Sequence, residues 1–269
     1  MFDFFKPGFD LLIFNPMVNL LLGIYTALAQ FSIPGAFGIA IILFTILVRI
    51  ITLPFYAQSQ KAMKKQQELM KSKEWQEMQK KYAKDKEKLS QAQMQLYQQA
   101  GVNPLGGCLP ALIPWPVMIG LYQSITMVMG AQPEQLMDLA KHLYNIFPAL
   151  AAVVPVNSGF LGMNLAGTPD GFGYIVPALV LATTWIQQKM MATPAADPQS
   201  AQMNQSMQLM MPLFIGYISL SFPIGLSLYW IVFNVIGIGQ QYMSSGWGNL
   251  LVGTPFAPAQ ANTPTKGKK

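Results

Sequence analysis

Arginine occurs once in these 269 residues, at position 49, and cysteine and histidine also occur once each. A single cysteine excludes an internal disulfide framework, and one Cys with one His gives no Cys/His metal site. Charged residues make up 10% of the chain, against a usual share of about 25%. A soluble domain of this length needs a charged surface that these residues cannot supply. No GxxxxGK[ST] phosphate loop is present, so nothing points to nucleotide use. What is abundant is apolar: 52% of the residues are hydrophobic and the mean hydropathy is +0.33. The composition implies an all-α polytopic membrane protein.

Five segments approach the ~20 apolar residues a bilayer core demands. They are 36–57, 105–130, 172–191, 207–222 and 224–243, and the last two meet at the tight turn "SFPIG". Residues 1–35 have no basic leader and are broken by Pro16 and Asn19. Phe14, Met17, Val18, Leu21 and Leu22 recur there at helical spacing, with Asn15 and Asn19 on another face. This predicts an amphipathic helix over 11–30 beside the first span, with a true span as the alternative. Residues 131–171 are too interrupted by Pro, Gly and Asn for a span. The segments 192–206 and 244–269 read as a loop and a disordered tail.

Residues 58–104 differ in composition, with ten Lys, five acids and eleven Gln among good helix formers. "AKDKEK" divides the run, Asp85 is a candidate N-cap, and Gly101 closes the second arm. The expectation is a helical hairpin with Met63, Leu69, Met70, Trp75, Met78 and Tyr82 on one apolar face. By the positive-inside rule this +5 loop is cytoplasmic. The N-terminus and 131–171, together holding five acids and two Lys, then lie outside, and the C-terminus inside. His142 is expected to be exposed on the external loop, and Cys108 to pack in a Gly-rich helix entry.

No Asp, Glu or His falls within the five apolar segments. Proton relays and intramembrane hydrolysis therefore lack their groups, and no catalytic residue is assigned. Arg49 stands alone at depth. A guanidinium facing lipid there costs roughly 2.5–3.5 kcal/mol on insertion scales, so it should face protein or water. Thr45 and Thr52 share its helix face. Ser227, Trp230, Asn234 and Gln241 form a stripe on the last segment, Thr183, Thr184, Gln187 and Gln188 end the third, and Gln123 and Ser124 lie on the second. The expectation is that these faces enclose one wet cavity; interhelical packing by the same groups is the alternative.

Four ordered blocks resemble the YidC/Oxa/Alb membrane protein insertases: "LVRIITLPF", "VNPLGGCLPALIPWPVMIGLYQSI", "YIVPALVLATTWIQQKM" and "FPIGLSLYWIVFNVIGIGQQ". The resemblance covers residues 36–243 and implies five core transmembrane helices around a hydrophilic groove open to cytoplasm and lipid. Arg49 matches the groove arginine, Trp230 a groove position of the last span, and either Gln187 or Gln188 one of the third. With Thr45, Thr52, Ser227 and Asn234 these are the candidate substrate-binding residues. The resemblance further implies ATP-independent insertion without cofactor or metal. The partners it implies are nascent membrane proteins, ribosome–nascent chain complexes and the lipid bilayer, with the Sec translocon a candidate and no direct nucleic-acid contact. Lacking a large domain before the first span, a lipobox cysteine and a long basic tail, the chain resembles a minimal bacterial form of the plasma membrane. The competing readings are an assembly chaperone or scaffold and, less well supported, a small-solute channel.

Overall fold

The computed structural model describes residues 6–83, 85–103, 114–129, 133–144, 156–191, 198–247 and 250. Within them the regular structure is helical apart from one two-stranded hairpin. Helix α1 runs Lys6–Gln30. Pro16 has no N–H to give the carbonyl four residues back, and the helix passes that point through a π-turn at Asp10–Phe14. Phe14, Met17, Val18, Leu21 and Leu22 are buried together, as their spacing predicts. The helix is also long and apolar enough to cross a membrane by itself, as are α2 (Ala36–Met70) and the last helix, α9 (Ile224–Ser245).

Helix α2 is the longest element. Its 35 residues continue through Pro54 without interruption. At 1.5 Å per residue it reaches roughly 52 Å, well beyond a hydrocarbon core of ~30 Å. No break falls at 57/58, where the composition changes, because the Lys- and Gln-rich continuation is as good a helix former as the apolar part. The break comes at Lys71–Ser72, which the sequence reading did not anticipate. Ser72 caps α3 (Lys73–Lys81) by accepting from the Trp75 N–H at 3.2 Å. Asp85 caps α4 (Lys86–Gln99) by accepting from the Lys88 N–H at 3.1 Å, and Gly101 closes it with φ +61°. Helices α3 and α4 pack around Trp75, Met78, Tyr97 and Val102, flanked by Leu69, Met70 and Tyr82. Met63 is not part of that cluster.

Helix α5 is described over Pro114–Val128, and residues 105–113 of the expected segment, with Cys108, lie outside the described residues. Helix α6 (Pro133–His142) follows. His142 is half-buried, a correction to its expected exposure. Its Nδ1 lies 2.8 Å from Asn15 Oδ1 and its ring stands edge-on to Phe14. Asn19 donates to the Asn15 and His142 carbonyls and accepts from the Tyr144 N–H at 2.8 Å. The two asparagines of α1 thus fasten it to the end of α6 and the residues just after it.

Strands β1 (Gly159–Phe160) and β2 (Met163–Asn164) pair antiparallel across a turn with positive φ at Leu161 and Gly162. The Phe160 ring lies where a side chain at Gly35 or Gly38 would stand, so the start of α2 can accept it only with glycine at both positions. After a 3-10 turn, Gly171–Tyr174, α7 begins at Ile175 rather than 172 and runs to Met191. Helix α8 (Pro198–Ser219) starts nine residues before the apolar segment, because Pro198 opens it and Gln, Ala and Met sustain it. It stops before 222 because Pro223 cannot continue it. The first N–H groups of α9 are satisfied by the segment that follows β2, Ile224 by the Gly167 carbonyl and Gly225 by that of Leu165, both at 2.9 Å. Helix α9 runs to Ser245, so the expected tail begins two residues late, and its remainder beyond 250 lies outside the described residues. The core joins α1, α2, α5 and α9 through residues such as Leu21, Phe37, Phe44, Leu121, Ile125 and Tyr229.

Candidate site around a buried arginine

Arg49 sits where α2 crosses α9, and only 4% of it is exposed. Its Nη2 donates to the Phe233 carbonyl at 2.5 Å and its Nη1 to Gln240 Oε1 at 3.1 Å. The guanidinium carbon stands 3.5 Å above the centre of the Phe233 ring and 5.8 Å from that of Tyr56. A flat, delocalised cation suits such stacking. Nε is buried with no hydrogen-bond partner. The ion pairs among the described residues are Lys88–Asp85 and Lys141–Asp138, so no described carboxylate neutralises Arg49.

Thr45 and Thr52 share the arginine's side of α2, but their hydroxyls return to their own helix, to the Ile41 and Val48 carbonyls at 2.6 and 2.8 Å. Such back-bonding satisfies a hydroxyl without a second helix. Of the two candidate glutamines, Gln187 comes to the same part of α9 as the arginine. Its amide nitrogen and the Arg49 Nη2 crowd the same bare Cα, that of Gly237. Asn234 donates to the Thr183 and Thr184 hydroxyls at 3.1 and 2.8 Å, tying α9 to α7. Ser124 returns to the Gly120 carbonyl.

Below the arginine, towards the end of α9, the contact with α2 stays polar. Gln241 Oε1 accepts from the Tyr56 hydroxyl at 3.1 Å and from Gln60 Nε2 at 2.8 Å, and Lys64 Nζ donates to the Ser244 carbonyl at 3.1 Å. Arg49, Tyr56, Gln60 and Lys64 therefore form one seam along α2, spaced seven, four and four. The sequence reading missed Gln240, Phe233 and Gly237. They follow one another on α9 at helical spacing, but one residue away from the stripe Ser227–Trp230–Asn234–Gln241, and two of them carry no polar side chain to attract notice.

Ser227 and Trp230 belong to another place. They line a pocket of about 100 Å³ with Trp115, Val180, Phe214 and Leu226, among other apolar side chains. Trp115 meets Trp230 edge-on at 6.5 Å. The Ser227 and Tyr229 hydroxyls are buried without hydrogen-bond partners. The candidate residues thus fall into an arginine cluster, an asparagine–threonine tie and an apolar pocket. Among the described residues no three His, Cys, Asp or Glu side chains converge as a metal site would need.

Long apolar helices, a strongly basic helical extension and a cation buried between helices define an integral membrane protein with a charged internal site. The family described as "60Kd inner membrane protein" matches residues 27–247. "Membrane protein insertase YidC" of Caldanaerobacter subterraneus is 37% identical over 209 residues, covering 78% of this chain and 85% of that protein. The protein of the same description from Fusobacterium nucleatum is 36% identical over 208 residues, 77% of this chain and 85% of its own. "ALBINO3-like protein 1, chloroplastic" of Arabidopsis thaliana is 31% identical over 250 residues, 87% of this chain and 48% of its own length. The chain belongs to the YidC/Oxa/Alb family of membrane protein insertases.

Proposed function

We propose that this protein inserts hydrophobic segments of nascent membrane proteins into the bacterial plasma membrane without ATP. In this reading α2, α5, α7, α8 and α9 are the five spans, and the helices of 58–104 are a cytoplasmic hairpin that makes first contact with the emerging chain. Arg49 lies between α2 and α9, facing a groove that receives the polar, often acidic, flank of the client. Attraction between that flank and the guanidinium strengthens as water is excluded, which lowers the cost of carrying the flank partway across. The apolar segment then moves to lipid, favoured by burial at roughly 25 cal/mol per Å². Clients arrive from ribosome–nascent chain complexes, alone or with the Sec translocon. No covalent step, cofactor or metal is involved.

One observation carries this reading: a buried arginine with no described carboxylate beside it. The test is reconstitution in proteoliposomes with a single-span client whose flank carries Asp or, alternatively, Asn. Arg49→Ala should reduce insertion of the Asp-flanked client well below that of the Asn-flanked one, and Arg49→Lys should restore much of it if charge alone matters. Equal insertion of both clients by wild type and Arg49→Ala would remove the electrostatic step.

A second reading is favoured by the same cluster. Arg49 already uses two donors and a stacking face on α9, so it can serve as a helix–helix tie in an assembly chaperone. Under that reading Arg49→Ala lowers thermal stability and leaves the Asp/Asn ratio at its wild-type value.

A further inference from the structure

The arginine cluster depends on a residue with no side chain. In an α-helix the carbonyl of residue i accepts from the N–H of residue i+4 and keeps a second lone pair directed outward. For Phe233 the residue four positions on is Gly237, buried in the middle of α9. A Cβ built there would collide with Arg49 Nη2 and the Gln187 amide nitrogen, and would stand 3.0 Å from Gln187 Cδ. Glycine within a helix costs about 1 kcal/mol relative to alanine, so a buried one calls for a reason. Gly239, two residues on, is exposed and has nothing within 4 Å of its own Cβ position. The need for bare backbone is therefore local to position 237.

We propose that Gly237 is a positioning residue: its missing side chain opens a notch in α9 in which the Arg49 guanidinium rests. Three contacts hold the cation in that notch. The Phe233 carbonyl accepts from Nη2, the Phe233 ring lies under the guanidinium plane, and Gln240 takes Nη1. The Gln187 amide closes the side towards α7. A guanidinium has five N–H donors, and the two bonds to α9 fix its plane while leaving donors free. The notch thereby sets the depth and orientation from which Arg49 meets an anionic group. That last step rests on the insertion reading above; the notch itself does not.

The test combines thermal unfolding in detergent with the Asp/Asn client assay. Gly237→Ala should lower Tm by several degrees and bring the Asp/Asn insertion ratio down to that of Arg49→Ala. Gly239→Ala, which meets open space, should leave the ratio unchanged and should not lower Tm. In the Arg49→Ala/Gln187→Ala background the collisions are gone, so Gly237→Ala should no longer lower Tm there, a non-additive result. An equal Tm loss in both backgrounds, or a Gly237→Ala protein with the wild-type Tm, would overturn the notch. Should Gly237→Ala fail to fold, recovery of a folded protein in the triple variant supports the notch, and failure of the triple where its background folds overturns it. If Arg49→Ala leaves the Asp/Asn ratio unchanged, the insertion reading falls while the Tm cycle still decides the role of Gly237.

Discussion

At the scale of single residues, the polar groups of the apolar helices divide into satisfied and orphaned ones. Asn234 bonds two threonine hydroxyls on α7. Interhelical hydrogen bonds in membranes contribute roughly 0.6 kcal/mol on average and rarely above about 1.7. Asn234→Ala should therefore lower Tm in detergent modestly, since Thr183 also bonds the Leu179 carbonyl of its own helix. Tyr229 is the reverse case. Its hydroxyl is buried without a partner, and an unmet buried polar group is a net cost. Tyr229→Phe keeps the ring that packs beside Phe233 and removes that cost. Its Tm should equal or exceed that of the wild type, and a clear drop would show that the hydroxyl has a role in the folded state.

At the scale of elements, the helices after α2 depend on their caps. The Asp85 carboxylate accepts from the Lys88 N–H, and this bond, with the Lys88 ammonium beside it, holds its pKa below the usual value. A depressed folded pKa means stability that is present above the unfolded value and lost as pH falls through the folded one. Amide-exchange protection at the start of α4 should therefore fall as acid protonates Asp85, and Asp85→Asn, which caps without charge, should abolish that dependence. Both this cap and the Gly101 stop were legible from residue type and position. So were the buried face of α1 and the turn at Pro223. The Ser72 cap was not, because good helix formers surround it and the apolar cluster that goes with the bend, Trp75 against Tyr97 included, joins residues far apart in sequence. The notch at Gly237 was equally hidden. A glycine in an apolar helix gives no sign of what occupies the space it leaves, and the arginine that fills it is 188 positions earlier. The start of α8 was misplaced because apolarity marks where a helix can meet lipid, not where its hydrogen bonding begins.

At the scale of the whole molecule, contacts fix the relative directions of four helices. Gly225 lies near Ile41, Phe233 at Arg49 and Ser244 at Lys64, so α2 and α9 run parallel. Asn234 at Thr184 and Gly237 at Gln187 make α7 parallel to both. Ile125 near Gly225 and Trp115 near Trp230 make α5 antiparallel. One end of this bundle carries the β-hairpin and the loop with Asp170. The other carries Lys64 and, beyond it, the lysine-rich helices. Such segregation of lysine predicts that the second end faces the cytoplasm. Leu161 at the β-hairpin tip and Lys65 on the α2 extension are both exposed, so each can report its side through a single cysteine once Cys108 is replaced by serine. Leu161→Cys should react with a membrane-impermeant maleimide on intact cells, and Lys65→Cys only after the membrane is opened. The reverse pattern would invert the orientation. It would place the lysine-rich helices away from the ribosome, and capture of a nascent chain by those helices would then be geometrically impossible. Labelling of both on intact cells would mean that α2 does not span, and the burial of Arg49 would then have to be explained without a bilayer.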